Sequence, residues 1–116
     1  MPLLRITTSK QVDVSQQKNI LMKFSSILAD VLSKPENYIQ TIFYDKQIMT
    51  FAKTFEDTAF VEIKSIGGLS SGNCQNLTRQ CCMLLEQEIH IQASRIYVEF
   101  SDIKAAMFGW NNATFG

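Results

Sequence analysis

The sequence predicts an α/β fold: two β-α-β repeats that form a four-stranded mixed sheet with two helices on one face. Three observations predict it. Apolar residues recur at steps of three and four across residues 20–32, and again across 77–89, which is the spacing of a single buried helix face. Each of these stretches lies between short segments rich in β-branched and aromatic residues, a strand composition. The strand-helix-strand order therefore occurs twice, and parallel strands joined through a helix cross over right-handed, which favours both helices on the same side of one sheet. No linker, low-complexity segment or boundary interrupts residues 1–116, so the chain reads as one domain.

Residues 2–8 (PLLRITT) are short and apolar-leaning with Ile and Thr, as a strand requires. Asp13 or Ser15 can cap the helix that follows, whose apolar face is Ile20, Leu21, Phe24, Ile27, Leu28, Val31 and Leu32. Pro35 ends it, because the residue before a proline disfavours helical geometry. Tyr38 to Tyr44 (YIQTIFY) is the second predicted strand. The connection 45–58 has room for a short strand around Ile48 to Phe51. Ala59 to Ile66 alternates, with Phe60, Glu62 and Lys64 on one face and Val61 and Ile63 on the other. Gly67 and Gly68 break this strand, in a tight turn and not a phosphate loop, since no GK[ST] follows. Ser70 or Ser71 opens the second helix, which runs to about His90, itself read as a helix-end cap. Arg95 to Phe100 is the last predicted strand. The tail FGWNNATFG sets large aromatics among turn formers and is expected to be ordered by contact.

Composition narrows the function. Of 116 residues, 46% are apolar and 19% charged, and eleven Lys plus Arg balance eleven Asp plus Glu. A net charge of zero argues against a nucleic-acid binder or a polybasic membrane-surface protein. No run approaches the ~18 apolar residues of a membrane span. The start MPLLRITTSK has too short an apolar stretch for a signal-peptide core, so a cytoplasmic location is expected, with export by a signal-independent route as the alternative. A chain of this size buries only about two-thirds of its unfolded surface, so help from oligomerisation is expected. Cys74, Cys81 and Cys82 lack CxxC spacing and read as free thiols. With a lone histidine and no CxxC, no metal site is expected, and no cofactor motif is present.

Chemistry enters at Pro2. Removal of Met1 ahead of a small second residue leaves proline as the terminal residue, a secondary amine. A free α-amino group titrates at about 7.7–8.0. An apolar pocket and a nearby cation each disfavour its protonated form, which makes a neutral general base at physiological pH. Other short strings accompany Met1-Pro2 in order: Lys34-Pro35 with Tyr38-Ile39, Met49-Thr50-Phe51, Ser65-Ile66-Gly67, Arg95-Ile96-Tyr97, and Gly109-Trp110-Asn111-Asn112-Ala113-Thr114-Phe115. Over its whole length the chain resembles the macrophage migration inhibitory factor family of the tautomerase superfamily, which includes D-dopachrome tautomerase.

The resemblance implies a homotrimeric, cofactor-independent keto–enol tautomerase acting on phenylpyruvate or dopachrome. Pro2 matches the catalytic base, Lys34 the cation that holds the substrate carboxylate, and Ile66 a backbone N–H that also binds it. Tyr97, Trp110 and Phe115 match the aromatic pocket, with Tyr38 close to it. The pocket lies between subunits, with Tyr97 supplied by the neighbour. Two departures stand out. Glu99 replaces the Asn that vertebrate cytokine members carry two residues after the tyrosine, and a carboxylate there favours protonated Pro2 and repels an anionic substrate. Phe108 stands where a smaller Val is usual and narrows the pocket mouth. Ala59-Phe60-Val61-Glu62 has no cysteine where those members carry a CxxC, so no thiol oxidoreductase activity is expected.

The resemblance also implies, in second place, an alternative: a cytokine-like signalling protein with a residual pocket, whose partner on export is a cell-surface receptor. Taken without the resemblance, each residue has a plainer reading. Lys34 complements a helix dipole, the aromatics pack a core or an interface, and Glu99 faces solvent.

Overall fold

The computed structural model describes residues 1–116. Strand β1 (Leu3–Thr8) is followed by helix α1 (Val14–Leu32) and strand β2 (Gln40–Tyr44). Strand β3 (Ala59–Ser65), helix α2 (Ser71–Ile89) and strand β4 (Ile96–Asp102) repeat the order. The sheet runs β2-β1-β3-β4, with β1 parallel to β2, β3 parallel to β4, and β1 antiparallel to β3 at the centre. The two repeats therefore meet back to back through their first strands. This is the predicted four-stranded mixed sheet.

Alternation decides which side the helices cover. Leu4 and Ile6 of β1 and Val61 and Ile63 of β3 are buried, and they meet Ile20, Phe24 and Leu28 of α1 and Leu77, Cys81 and Leu85 of α2 in one core. The same period leaves Arg5, Phe60, Glu62, Tyr97 and Glu99 on the opposite, uncovered face. Phe24 is the largest fully buried side chain. Phe24→Ala is expected to destabilise the domain by about 3–5 kcal/mol, because it removes apolar contact and leaves a cavity between both helices and the sheet. Urea denaturation checks this, and a loss below about 1 kcal/mol would contradict the packing described.

The helix ends settle what periodicity left open. Asp13, not Ser15, caps α1, accepting from the Gln16 N–H, and Ser70, not Ser71, caps α2, accepting from the Asn73 N–H. Both C-termini close in the left-handed conformation, at Ser33 (φ 53°) and His90 (φ 59°). His90 thus caps through its backbone, and α1 ends before Pro35.

Four local expectations are corrected, and one element is added. The second strand begins at Gln40 because Glu36–Tyr38 form a 3₁₀ turn, closed by the Ile39 N–H donating to Glu36 O. The third strand ends at Ser65, not Ile66, and β4 runs to Asp102 in register with it. The connection 45–58 holds no strand, only a tight turn bridging Phe51 and Thr54. The tail forms an unanticipated hairpin, β5 (Gly109–Trp110) with β6 (Ala113–Thr114).

Candidate active site

The 3₁₀ turn and the hairpin make a cavity at the start of β1. The carbonyl of Pro2 accepts from Gln40 N–H at 3.2 Å, which ties the N-terminus to β2 and leaves Pro2 buried. Around it lies a cavity of about 260 Å³ lined by Pro2, Asn37, Tyr38, Phe108, Trp110 and Phe115 among others. The aromatic wall is one connected cluster. Trp110 and Phe115 stack at 6.0 Å and 10°, Tyr38 meets Trp110 edge-on at 5.3 Å, and Phe108 meets Phe115 at 6.2 Å. Asn111 and Asn112 make this possible. Both adopt left-handed backbone (φ 50° and 69°), which asparagine tolerates, so the chain reverses in two residues and sets Trp110 beside Phe115.

Lys34 lies just beyond α1. Its N–H donates to Ala29 O, and its ammonium turns away from the helix to donate to Ile66 O at 3.0 Å. That bond uses one of three ammonium protons and leaves two for a ligand. Beyond Ile66 the chain turns sharply through Gly67 and Gly68, both at positive φ (73° and 79°), a conformation that side-chain-bearing residues resist. The Gly67 N–H donates to the Asp102 carboxylate at 3.1 Å, and Ser65 Oγ donates to Gly67 O at 2.8 Å, so the backbone around Ile66 is pinned. Burial first, and then the charge of Lys34, hold the α-amine of Met1, the residue ahead of Pro2, below its ordinary pKa.

Within one chain Pro2, Tyr38, Phe108, Trp110 and Phe115 thus come together, with Lys34 and Ile66 joined to each other nearby. Tyr97 and Glu99 do not join them. Tyr97 lies on β4 at the far edge of the sheet, 66% exposed, with its ring 5.0 Å from Phe51. Glu99 is exposed and in register with Glu62, which forms two 2.8 Å hydrogen bonds with Arg5. Asn37 and Gln40 also line the cavity, and neither carries a sequence signal, being ordinary polar residues near a proline turn. No group of three or more His, Cys, Asp and Glu gathers anywhere to hold a metal ion. The three cysteines are unpaired; burial, then Cys82, push the Cys81 thiol up to about 12, which leaves it inert at neutral pH. No helix is long and apolar enough to cross a membrane.

The family model described as macrophage migration inhibitory factor (MIF) matches residues 1–116. The chain belongs to that family. The macrophage migration inhibitory factor of Rattus norvegicus is 31% identical over 115 residues, 99% of each chain. The Brugia malayi homolog is 32% identical over 117 residues, covering all of both. Among solved structures, the macrophage migration inhibitory factor homologue from Prochlorococcus marinus superposes with a TM-score of 0.94 at 38% identity, covering 98% of this chain and 99% of that one. The macrophage migration inhibitory factor-like protein of Entamoeba histolytica gives 0.93 at 32% identity, covering 98% of both. Membership of the macrophage migration inhibitory factor family carries tautomerase or cytokine-like function in general terms.

Proposed function

We propose that the chain is a cofactor-independent keto–enol tautomerase for aromatic α-keto acids of the phenylpyruvate or dopachrome type. The observation that carries this reading is Pro2 buried at an aromatic cavity, where burial and Lys34 both lower the pKa of the adjoining Met1 amine. Once Met1 is removed, the Pro2 nitrogen is a neutral base. It takes the enol hydroxyl proton as the carbonyl forms, and the resulting prolinium returns that proton to the adjacent carbon. Protons balance, and no other reagent is required. The Lys34 ammonium and the Ile66 N–H hold the substrate carboxylate, while Tyr38, Trp110 and Phe115 hold the ring. Phe108 shapes the opening, and Glu99 tunes the rate.

The working unit is a homotrimer on this reading, in which Tyr97 and Glu99 of one subunit complete the pocket of the next. Two features support assembly. One face of the sheet has no helix over it, and Ile48, at 94% exposure, projects from the 45–58 connection with nothing in its own chain to cover it. The deciding experiment is the initial rate of phenylpyruvate tautomerisation with tag-free protein whose mass confirms loss of Met1. A saturable rate is expected. A rate no higher than buffer, with Met1 gone and the trimer intact, would overturn the proposal. The cytokine-like reading, favoured by bulky Phe108 on the cavity wall, would then lead.

A further inference from the structure

The connection 45–58 is fastened by one side chain that the proposed mechanism does not use. The Arg95 guanidinium donates through Nε to Asp57 O at 2.9 Å, through Nη1 to Phe51 O at 3.1 Å, and through Nη2 to Glu56 O at 2.9 Å. It also lies 5.3 Å above the Phe51 ring. The side chain is only 12% exposed, whereas the Glu56 carboxylate 4.0 Å away is largely in solvent and adds little. The backbone of Arg95 is held as well. Its carbonyl accepts from Thr58 Oγ1 at 2.7 Å, and the Thr58 carbonyl accepts from Thr8 Oγ1 at 2.8 Å, with both threonines buried.

These ties oppose a strained turn. Phe51 and Thr54 exchange two N–H···O bonds of 3.1 Å, which forces Ala52 and Lys53 to positive φ (52° and 62°), a region uncommon for either residue type. The turn presents Phe51, whose ring meets that of Tyr97, two residues beyond Arg95. Phe51 is therefore held between the guanidinium and the tyrosine. Within its own chain Tyr97 is otherwise largely exposed, and Phe51 is the aromatic ring packed against it.

We propose that Arg95 is a positioning residue for substrate binding: by fixing Phe51 it fixes the Tyr97 ring. This rests on the tautomerase reading, in which Tyr97 closes a neighbouring subunit's pocket. A lysine in its place keeps the charge but lacks the planar fork that spreads its donors over three separate carbonyls.

The test compares wild type, Arg95→Gln and Arg95→Lys in phenylpyruvate kinetics and in the Tyr97 ring proton shifts, assigned with Tyr97→Phe. Arg95→Gln is expected to shift the Tyr97 ring resonances and raise KM about tenfold, with kcat changed less than about threefold. The pH profile stays in place, since Pro2 and Lys34 are untouched, and Arg95→Lys restores KM only in part. In a Tyr97→Ala background Arg95→Gln adds nothing further, because the two act as one unit. Unchanged ring shifts and KM, or effects that multiply in the double variant, would overturn the proposal. If Arg95→Gln fails to fold, Phe51→Leu breaks the same relay while sparing the carbonyl bonds, and the same rise in KM is expected. Wild-type protein without phenylpyruvate turnover sinks the tautomerase reading. The coupling of Arg95 to Tyr97 then stands or falls on the ring shifts.

Discussion

Pro2→Gly is expected to lower kcat/KM for phenylpyruvate by about 10²–10⁴-fold, the range attributed to a well-placed general base. The substitution is informative because glycine still leaves a terminal amine once Met1 is removed. A fall therefore measures what the pyrrolidine ring supplies. The ring blocks rotation about the N–Cα bond and so fixes the direction of the nitrogen's lone pair, while the Pro2 carbonyl, tied to Gln40 N–H, holds the residue at the aromatic cavity. A glycine amine keeps its basicity but loses this orientation, and misplacing a reacting group by about 1 Å costs on the order of 10²-fold. Protein that retains Met1 provides the matching control. Its Pro2 nitrogen is an amide whose lone pair is delocalised into the carbonyl, so it cannot accept the proton. That form is expected to be inactive although folded. Mass spectrometry of each preparation, with thermal unfolding as the check on folding, separates these cases. Full turnover by Pro2→Gly would remove Pro2 from the mechanism.

Long periodic segments were legible from sequence, and short ones governed by backbone conformation were not. Ile20, Phe24 and Leu28 share one helix face whatever surrounds them, and Val61 and Ile63 alternate with Glu62 whatever the neighbouring strands are. The 3₁₀ turn at 36–38 lacks such a period, and it moves Tyr38 from a strand to the cavity rim. The tail hairpin depends on two consecutive asparagines at positive φ, a property no hydrophobic pattern reports. The candidate site divides in the same way. Pro2, Lys34 and the aromatics carry side chains whose chemistry can be read from residue type. Arg95 stands in the string Arg95-Ile96-Tyr97, but its role is silent in sequence because its partners are main-chain carbonyls about forty residues away, and any residue type there offers the same oxygen.

Lys34→Ala is expected to act on two observables at once. Its ammonium donates to Ile66 O and keeps two protons available, so removing it strips a charge-assisted bond from the bound carboxylate. KM for phenylpyruvate is then expected to rise about ten- to a hundredfold. The second observable is the acidic limb of kcat/KM, which reports the terminal base in free enzyme. Lys34 lowers the pKa of the Met1 amine, one residue away, by repelling its protonated form; the same cation is expected to act on the Pro2 nitrogen once Met1 is removed, so its loss raises that pKa and moves the limb to higher pH. Burial is the larger cause at Met1, and Pro2 is itself buried, so the limb is expected to stop short of the value of an exposed amine. Lys34→Arg keeps the charge and is expected to leave the limb in place. A substrate whose carboxylate is esterified separates the two effects: its KM should be insensitive to Lys34→Ala while the limb still moves. If KM and limb both stay fixed and only thermal stability falls, Lys34 is a structural tie to Ile66 and no part of the site.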